Sequence, residues 1–261
     1  MIEYNMMDKE LFLCKCMHGG PVFEKDLGRT IPAVSEEIVK KILYTAIEKY
    51  GSCAVLAIDT DLYNAVVGLL FFYPKIYYDF LNEAHPCIQD PKELKKINPV
   101  VENIISAPSF DELENKDKIL FIECMQVVGK SGKKEINFDE DPSNKTKSIE
   151  YKPYTSRGIG EGMLIKLVSW ARNFGWKKIQ SNAVPDVKPL KLWWGNQSLN
   201  GFLRMGFTVI KGSENFHEEV LETVTNMKKG LHGRKIQKMW KDYEGLSDKD
   251  LVTTYQVELI L

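Results

Sequence analysis

Apolar and polar positions along this chain follow two spacings, one typical of helices and one typical of strands. Over 33–52 the apolar residues recur at helical spacing, acidic residues follow the candidate cap Ser35, and Gly51 closes the segment, so a helix is predicted there. Apolar runs at 53–59 and 65–74, separated by a polar stretch, predict a β-hairpin. A continuous apolar run over 118–130 predicts a buried central strand.

The alternation of strands and helices continues to the end of the chain and indicates an α/β fold. Further strands are predicted at 11–17, 177–184, 207–212 and 251–261, and a short helix at 198–206. A longer helix begins at residue 159, where an apolar stripe runs at helical spacing through Ile159, Met163, Leu167, Trp170 and Phe174. No internal repeat is detectable, and we treat 1–261 as a single domain.

Two long segments separate predicted elements. The first, 129–153, is charged and turn-rich, and we interpret it as a polar insertion with a hairpin at "KEINF" and "SIEYK". The second, 214–248, predicts one or two helices inserted before the last strand. Both exceed ordinary connections in length, and segments of this kind beside a shared site often choose the second substrate.

Composition excludes several classes of protein. Apolar residues make up 44% and charged residues 27% of the chain, as in ordinary globular proteins, and the net charge of −1 gives no reason to expect a nucleic-acid or membrane partner. No apolar run approaches the roughly 20 residues that span a bilayer. Residues 1–10 lack the features of a secretory signal, and the five cysteines form no dense framework, so a reduced, cytoplasmic protein is expected.

The stretch "YTSRGIGEGML", which begins at Tyr154, places three glycines at the start of a predicted helix. Their spacing does not match the dinucleotide-binding fingerprint G-x-G-x-x-G. A phosphate loop of the G-x-x-x-x-G-K-[ST] type is hinted at by "GKS" at 129–131, but position 124 is a cysteine and no helix follows. Neither of these nucleotide motifs is therefore present.

A third motif matches over a longer part of the chain. The segments "IECMQVV", "SRGIGEGMLIKLVSWARNFGWKKIQSNAV" and "NQSLNGFLRMGFTVI" resemble the GNAT superfamily of acetyl-CoA-dependent N-acetyltransferases. That family carries [QR]-x-x-G-x-[GA] between its fourth strand and third helix, and a short helix ending in Gly-Phe before its sixth strand. The resemblance covers about 54–261 and implies a mixed, mostly antiparallel central sheet flanked by helices. It also implies acetyl-CoA as co-substrate and direct attack by an amine.

The register of the glycine motif is decided by the apolar stripe. A literal match over 157–162 would put Glu161 in the slot where the buried stripe begins, whereas a match over 155–160 puts Ile159 there. We therefore place the motif at 155–160, where Thr155 replaces the usual Gln or Arg and offers only a backbone contact. Gly162 then lies inside the helix, where we expect it to serve close helix–sheet packing.

The cofactor site follows from the resemblance and from helix physics. The first turn of a helix has N–H groups without internal partners and a partial positive charge, so it suits a pyrophosphate. Arg157 can add a charge-assisted contact. The residues expected to bind CoA are Met125, Gln126, Val127, Val128, Thr155, Ser156, Arg157, Gly158, Ile159, Gly160, Glu161, Asn196 and Phe202.

The catalytic residues are harder to assign. Glu123 is a lone carboxylate in an apolar strand, and it is either the base that takes the amine proton or a structural carboxylate paired with a lysine or the backbone. The family's proton-donating tyrosine falls on Phe202, which cannot donate. Either another residue, with Tyr154 and Tyr255 as candidates, is the acid, or the thiolate leaves unassisted, or activity is weak. The family's asparagine falls on Gly195, one residue before Asn196.

Other residues have alternative interpretations. Trp193 and Trp194 either line an acceptor pocket or fill the core. Cys14, Cys16 and His18 form only a weak zinc motif, and buried thiols are the preferred interpretation, so no metal is expected. Two rival functions follow: a catalytically weak acyl-CoA-binding regulatory module, and a metal-binding regulatory domain. The amine acceptor, a small molecule or a peptide, is unidentified, and a homodimer is one possible assembly.

Overall fold

The computed structural model describes residues 1–11, 13, 20–23, 36–81, 102–129, 131–136, 147–155, 157–190, 197–231 and 233–261. The strands are β1 (Ile2–Met6), β2 (Ala54–Asp59), β3 (Ala65–Pro74), β4 (Ile119–Val127), β5 (Gly132–Ile136), β6 (Lys147–Tyr151), β7 (Lys178–Ala183), β8 (Thr208–Val209), β9 (Asn215–Phe216) and β10 (Thr253–Ile260). The helices are α1 (Glu36–Tyr50), α2 (Lys75–Leu81), α3 (Ile159–Phe174), α4 (Leu199–Arg204), α5 (Leu221–Lys228), α6 (Arg234–Met239) and α7 (Asp248–Val252).

One mixed sheet forms the centre of the fold. Its strand order is β1-β2-β3-β4-β7-β10-β8, with β9 paired to β10. The pairing of β4 with β7 is parallel, and the other neighbours in this sheet pair antiparallel. The prediction of a mixed, mostly antiparallel sheet flanked by helices is therefore confirmed.

The helices cover both faces of this sheet, as two neighbouring residues of β3 show. The ring of Phe72 lies 5.2 Å from that of Trp170 on α3, whereas the ring of Tyr73 lies 5.6 Å from that of Tyr77 on α2. Successive residues of a strand point to opposite faces, so α2 and α3 pack on opposite sides. The Tyr77 hydroxyl donates to the Ile42 carbonyl at 2.6 Å, which places α1 on the α2 side.

Most strongly periodic segments form the elements predicted for them. The helix over 36–50 ends at Gly51, whose φ of 82° is left-handed. The hairpin β2–β3, the central strand β4, the strand β7, the helix α4 and the last strand β10 also match their predictions. The predicted strand at 207–212 is reduced to the two residues of β8.

The first strand of the sheet differs from its prediction. β1 occupies Ile2–Met6 and pairs antiparallel with β2, and the pattern-based analysis did not assign a strand there. Leu11 and Leu13 lie outside any strand, and most of the predicted strand at 11–17 lies outside the described residues. β1 is an edge strand that alternates apolar and polar residues, so it has too few apolar residues for its sequence to predict a strand.

Both long segments contain regular structure. Within 129–153, β5 and β6 pair antiparallel into a separate two-stranded sheet, which confirms the hairpin. The segment 214–248 contains β9, α5 and α6. This segment contributes to a second apolar cluster, in which Val224, Met227 and Trp240 pack with Val187 and Leu190, two residues that follow β7. The segment therefore packs beside the chain that leaves the end of β7, while its description as an insertion in a single domain stays a prediction.

Within the described ranges, no helix combines the length and the apolar character that a bilayer crossing would need.

Candidate active site

The central sheet divides where β4 and β7 stop pairing. β7 pairs with β4 only over 119–122, and the Ser181 hydroxyl donates to the Ile122 carbonyl at 3.2 Å at this last rung. β4 then continues to Val127 paired with β3, while Val184 after β7 bridges to Ser198 before α4. A split therefore separates the end of β4 from the end of β7.

A β-bulge lies at the point of division. In the β3–β4 ladder Phe72 is opposite Ile122 and Phe71 is opposite Cys124, so Glu123 is the extra residue of the bulge. A bulge of this kind bends its strand and increases the local twist. Tyr73 is opposite Phe121, whose ring stacks on Tyr78 of α2 at 3.9 Å, so Glu123, two residues further along β4, lies on the same α2 side of the sheet. Burial, followed by the charge of Glu123, raises the pKa of Tyr73 well above its ordinary value.

The main chain of β4 beyond the bulge points into the split. Directly opposite residues in an antiparallel ladder alternate between pairs that exchange N–H···O bonds and pairs that do not. Val128 donates to the Val67 carbonyl at 3.0 Å, so Met125 and Val127 belong to the second kind. Their N–H and C=O groups point away from β3 toward the side that β7 has left, which leaves a strand edge available for pairing.

The N-terminus of α3 lies at the end of β4. The helix begins at Ile159, and Gly158 precedes it with a left-handed φ of 73° and no side-chain cap. Gly162 N–H donates to the Gly158 carbonyl as the first intrahelical bond, so the N–H groups of 159–161 are left without helical acceptors. A Cβ at Gly158 would meet nothing within 4 Å. This cradle of N–H groups in open space fits a phosphate.

The three glycines of the motif differ in their surroundings. A Cβ at Gly160 would lie 3.2 Å from the Met125 sulfur, so this glycine brings α3 close to β4. A Cβ at Gly162 would lie 2.3 Å from the ring and hydroxyl of Tyr4 on β1, which confirms the predicted packing role. Ile159 is 2% exposed whereas Glu161 is exposed, so the buried stripe begins at Ile159 as predicted, while the placement of the CoA motif at 155–160 stays a prediction.

Tyr154 anchors the loop that precedes α3. Its N–H donates to the Val128 carbonyl at 2.8 Å, and its hydroxyl donates to Asp59 Oδ2 at 2.6 Å. Burial and the bond to Asp59 raise the pKa of Tyr154 well above its ordinary value. The Arg157 guanidinium lies 4.7 Å from the Tyr154 ring centre. The loop and its arginine are thus held against the ends of β4 and β2.

The other predicted site residues fall into three groups. Phe202 is 1% exposed and lies 4.9 Å from the Phe207 ring, so its side chain belongs to the core. Tyr255 is half-buried on β10 opposite Ala183, at the β7 wall of the split. The residues outside the described part of the chain are Ser156, Trp193, Trp194, Asn196, Cys14, Cys16 and His18.

The structure thus brings together most of the predicted CoA-binding residues. Glu123, the strand 125–128 and the loop 155–161 meet where β4 leaves β7, as far as the structure describes them. No sequence pattern marks Tyr73, which lies opposite Phe121 beside the bulge, or Ser181, whose hydroxyl bonds to the Ile122 carbonyl. The run "LLFFYP" carries no signal that separates Tyr73 from its apolar neighbours.

The weak zinc motif at Cys14, Cys16 and His18 lies outside the described ranges. Those ranges contain no group of three or more His, Cys, Asp or Glu side chains that could hold a metal ion.

No family model matches this chain, and no curated protein matches it. Solved structures do show similarity. Mosquito arylalkylamine N-acetyltransferase like 5b is 13% identical, with 100% of both chains covered and a TM-score of 0.46. A GCN5-related N-acetyltransferase from Kribbella flavida is 12% identical, with 100% of this chain and 98% of that chain covered and a TM-score of 0.40.

A GNAT family acetyltransferase from Elizabethkingia anophelis, solved with acetyl-CoA bound, is 11% identical, with 100% of this chain and 98% of that chain covered and a TM-score of 0.36. The Kribbella and Elizabethkingia proteins carry the name of the superfamily that the sequence motifs resemble. At these identities and TM-scores the likeness carries no argument about what this chain binds or does.

Proposed function

We propose that this chain is an acyltransferase that moves the acetyl group of acetyl-CoA to the nitrogen of an amine. The observation that carries the proposal is the split between β4 and β7, which opens directly beside the uncapped N-terminus of α3. The split offers a strand edge, which suits the amide-bearing pantetheine arm of CoA. The N-terminus of α3 offers an anion site, which suits the pyrophosphate of CoA.

The pyrophosphate would lie on the free N–H groups of 159–161, where the helix dipole adds partial positive charge. Arg157 lies beside this turn and would add a charge-assisted bond. The pantetheine amides would pair with the main chain of Met125 and Val127 as a neighbouring strand does. Supporting contacts are proposed from Gln126, Val128, Thr155, Ser156, Asn196 and Phe202.

The reaction requires a neutral amine at the thioester. The nitrogen attacks the carbonyl carbon, a C–N bond forms, the C–S bond breaks and the sulfur leaves as a thiolate. A main-chain N–H of Met125 or Val127 would stabilise the carbonyl oxygen as its negative charge develops. Glu123, in the bulge at the fork, would take the proton that the nitrogen loses.

The thiolate needs a proton in return. Tyr154 and Tyr255 were the two candidate acids. Because the Tyr154 hydroxyl donates to Asp59, we favour Tyr255, which stands opposite Ala183 at the other wall of the split. Tyr154 would then serve the site by holding Arg157 and the loop in place.

A primary amine on a small molecule or a peptide is the proposed acceptor. The helices of 214–248 pack beside the chain leaving β7 and so border the acceptor side of the split. Trp193 and Trp194, three and four residues after Leu190 of the same cluster, are proposed to contact the acceptor. Cys53 and Cys124 are thiols rather than disulfides, which suits a reducing compartment, so a cytoplasmic location is proposed, and a homodimer remains a proposal.

The second candidate is a catalytically weak acyl-CoA-binding module that regulates a partner. The observation in its favour is Phe202, which fills the slot of the family's acid and is a buried core residue without a proton to donate.

Two measurements separate these functions. Calorimetry with CoA and acetyl-CoA tests the shared binding site, and no binding contradicts both. Release of free thiol from acetyl-CoA is then followed with a panel of arylalkylamines, polyamines, amino acids and peptides with free N-termini or lysines. Sustained release with one class identifies the acceptor, whereas binding without release from any amine favours the regulatory module.

A further inference from the structure

Tyr73 carries a buried hydroxyl that the fold does not use. Its side chain is 1% exposed, and no residue within the described ranges accepts from or donates to the hydroxyl. A buried hydroxyl without a partner costs free energy, and most such groups in proteins are hydrogen-bonded. An unpartnered hydroxyl in the core therefore indicates that something outside these side chains, such as a bound water, satisfies it.

The position of Tyr73 connects this hydroxyl with the candidate base. Tyr73 is directly opposite Phe121 in the β3–β4 ladder, and Glu123 follows two residues later as the extra residue of the bulge. The Tyr73 ring stacks between Phe71, 6.4 Å away, and Tyr77 of α2, 5.6 Å away. The hydroxyl and the carboxylate thus lie on the same face of the sheet at the fork of the split.

The titratable groups around Tyr73 and Glu123 keep the Tyr73 hydroxyl protonated. Burial comes first and the Glu123 charge second in raising its pKa, and further titratable groups facing it are Cys53, Cys124 and Tyr77. Tyr78 faces Glu123 from α2. Lys75, which lies over the rings of Tyr78 and Phe121, is ion-paired with Asp79. The hydroxyl therefore stays a donor over the working range of pH, and the carboxylate is the acceptor of highest charge beside it.

We propose that Tyr73 is a positioning residue for acetyl transfer, whose hydroxyl donates to a water molecule through which Glu123 receives the proton of the attacking amine. The nitrogen gives its proton to the water as the C–N bond forms. The water gives a proton to the Glu123 carboxylate, and the departing thiolate takes its proton from Tyr255 or solvent. This inference rests on the proposed function, because it assigns a proton path within the same site.

Tyr77 supplies a matched control on the same face. It is as buried as Tyr73, and its ring stacks on that of Tyr73, but its hydroxyl donates to the Ile42 carbonyl. Removing the Tyr77 hydroxyl deletes a bond within the fold, whereas the water proposed to meet the Tyr73 hydroxyl can turn to other partners. Tyr73→Phe is therefore expected to leave the melting temperature unchanged or higher, and Tyr77→Phe to lower it.

Turnover should be affected in the opposite way, with the loss in Tyr73→Phe and not in Tyr77→Phe. With the best amine of the panel, Tyr73→Phe should lower kcat roughly tenfold, less than the roughly 10²- to 10⁴-fold that a complete acid–base group contributes. Its KM for acetyl-CoA should stay within about twofold, and Tyr77→Phe should keep wild-type kcat. Wild-type kcat in Tyr73→Phe, or an equal loss in both variants, overturns the proposal.

The rate–pH profile gives a readout that a purely structural role would not move. A donor to the water that contacts Glu123 stabilises the ionised carboxylate, so its loss raises the pKa of Glu123. The acid limb of kcat should then shift to higher pH in Tyr73→Phe, with the same amine used for both proteins so that its own ionisation cancels. An unshifted limb contradicts the assignment.

A measurement without turnover keeps this inference separate from the proposed function. The carboxyl ¹³C resonance of Glu123, assigned by its loss in Glu123→Gln, is titrated in the wild type and in Tyr73→Phe. A higher pKa in the variant supports the link even if no amine is acetylated, in which case the proposed function alone fails. An identical titration in both proteins overturns the link whatever the activity.

Discussion

Replacing Gly160 by valine tests the phosphate site at its most sensitive point. A Cβ at this position would lie 3.2 Å from the Met125 sulfur, and a helical Cβ is tilted toward the helix N-terminus. The two added methyl groups of valine therefore project over the first-turn N–H groups that are proposed to meet the pyrophosphate. The thioether of Met125 is flexible and can yield, so the fold should survive.

The magnitude follows from the bonds that are lost. A hydrogen bond to a charged group contributes about 1.5–3 kcal/mol, so blocking one N–H bond to the pyrophosphate raises the Kd of acetyl-CoA by roughly 10- to 150-fold. Overpacking against Met125 costs about 1–3 kcal/mol of folding free energy, partly offset because valine has a better helix propensity than glycine.

Calorimetric titration with acetyl-CoA, well below the melting temperature of each variant, measures the effect. Gly162→Ala is the control because its Cβ would lie 2.3 Å from Tyr4, on the side where β1 packs. This control should lower the melting temperature while leaving the Kd unchanged. If Gly160→Val binds acetyl-CoA as the wild type does, or if Gly162→Ala weakens binding equally, the assignment of the loop is wrong.

Three further predictions concern charge. Glu123→Gln should lower kcat by roughly 100-fold or more with an unchanged Kd for acetyl-CoA, and full turnover would remove Glu123 as the base. Arg157→Gln should weaken acetyl-CoA binding about tenfold at low ionic strength and less at high ionic strength, a difference that titrations at two salt concentrations check. Burial raises the pKa of Tyr50 and of Tyr78 to about 12, so each binds more protons folded than unfolded above pH ~10. Between pH ~10 and ~12 the free energy of unfolding should therefore fall by at most about 1.4 kcal/mol per pH unit for each tyrosine, and by less for the partly exposed Tyr78, where solvent screens the charge; constant stability over this range in chemical denaturation would contradict it.

The sequence predicts the first part of α3 well because the spacing of its apolar residues matches the positions that are buried. The stripe that begins at Ile159 and continues through Met163 and Leu167 is buried, which is why it could decide the glycine register. The prediction is wrong at the end of the helix, where Phe174 is 36% exposed. Its ring packs edge-on against Phe110, 4.7 Å away, so a surface aromatic pair replaces the core contact that the spacing alone predicts.

The details of the site depend on pairing that no local pattern contains. The run over 118–130 reads as one buried strand, and its composition does not reveal that β7 pairs with only the first part of it. The bulge is equally hidden, because Glu123 differs from its neighbours only by its charge. Tyr73 becomes informative only when its hydroxyl is seen without a partner in the described part of the fold.

The bulge and the split are two consequences of one extra residue. β4 leaves β7 directly after Ile122, and Glu123 follows as the extra residue of the bulge. Because a bulge bends its strand and increases its twist, the same residue that turns β4 away from β7 also places a carboxylate at the fork. Glu123 thus has two roles, one in the shape of β4 and one as the candidate base. Substitution by glutamine tests them separately, since it keeps the length of the strand and removes the charge. A Glu123→Gln variant that still binds acetyl-CoA but no longer turns over would show that the split is made by the backbone and the reaction by the carboxylate.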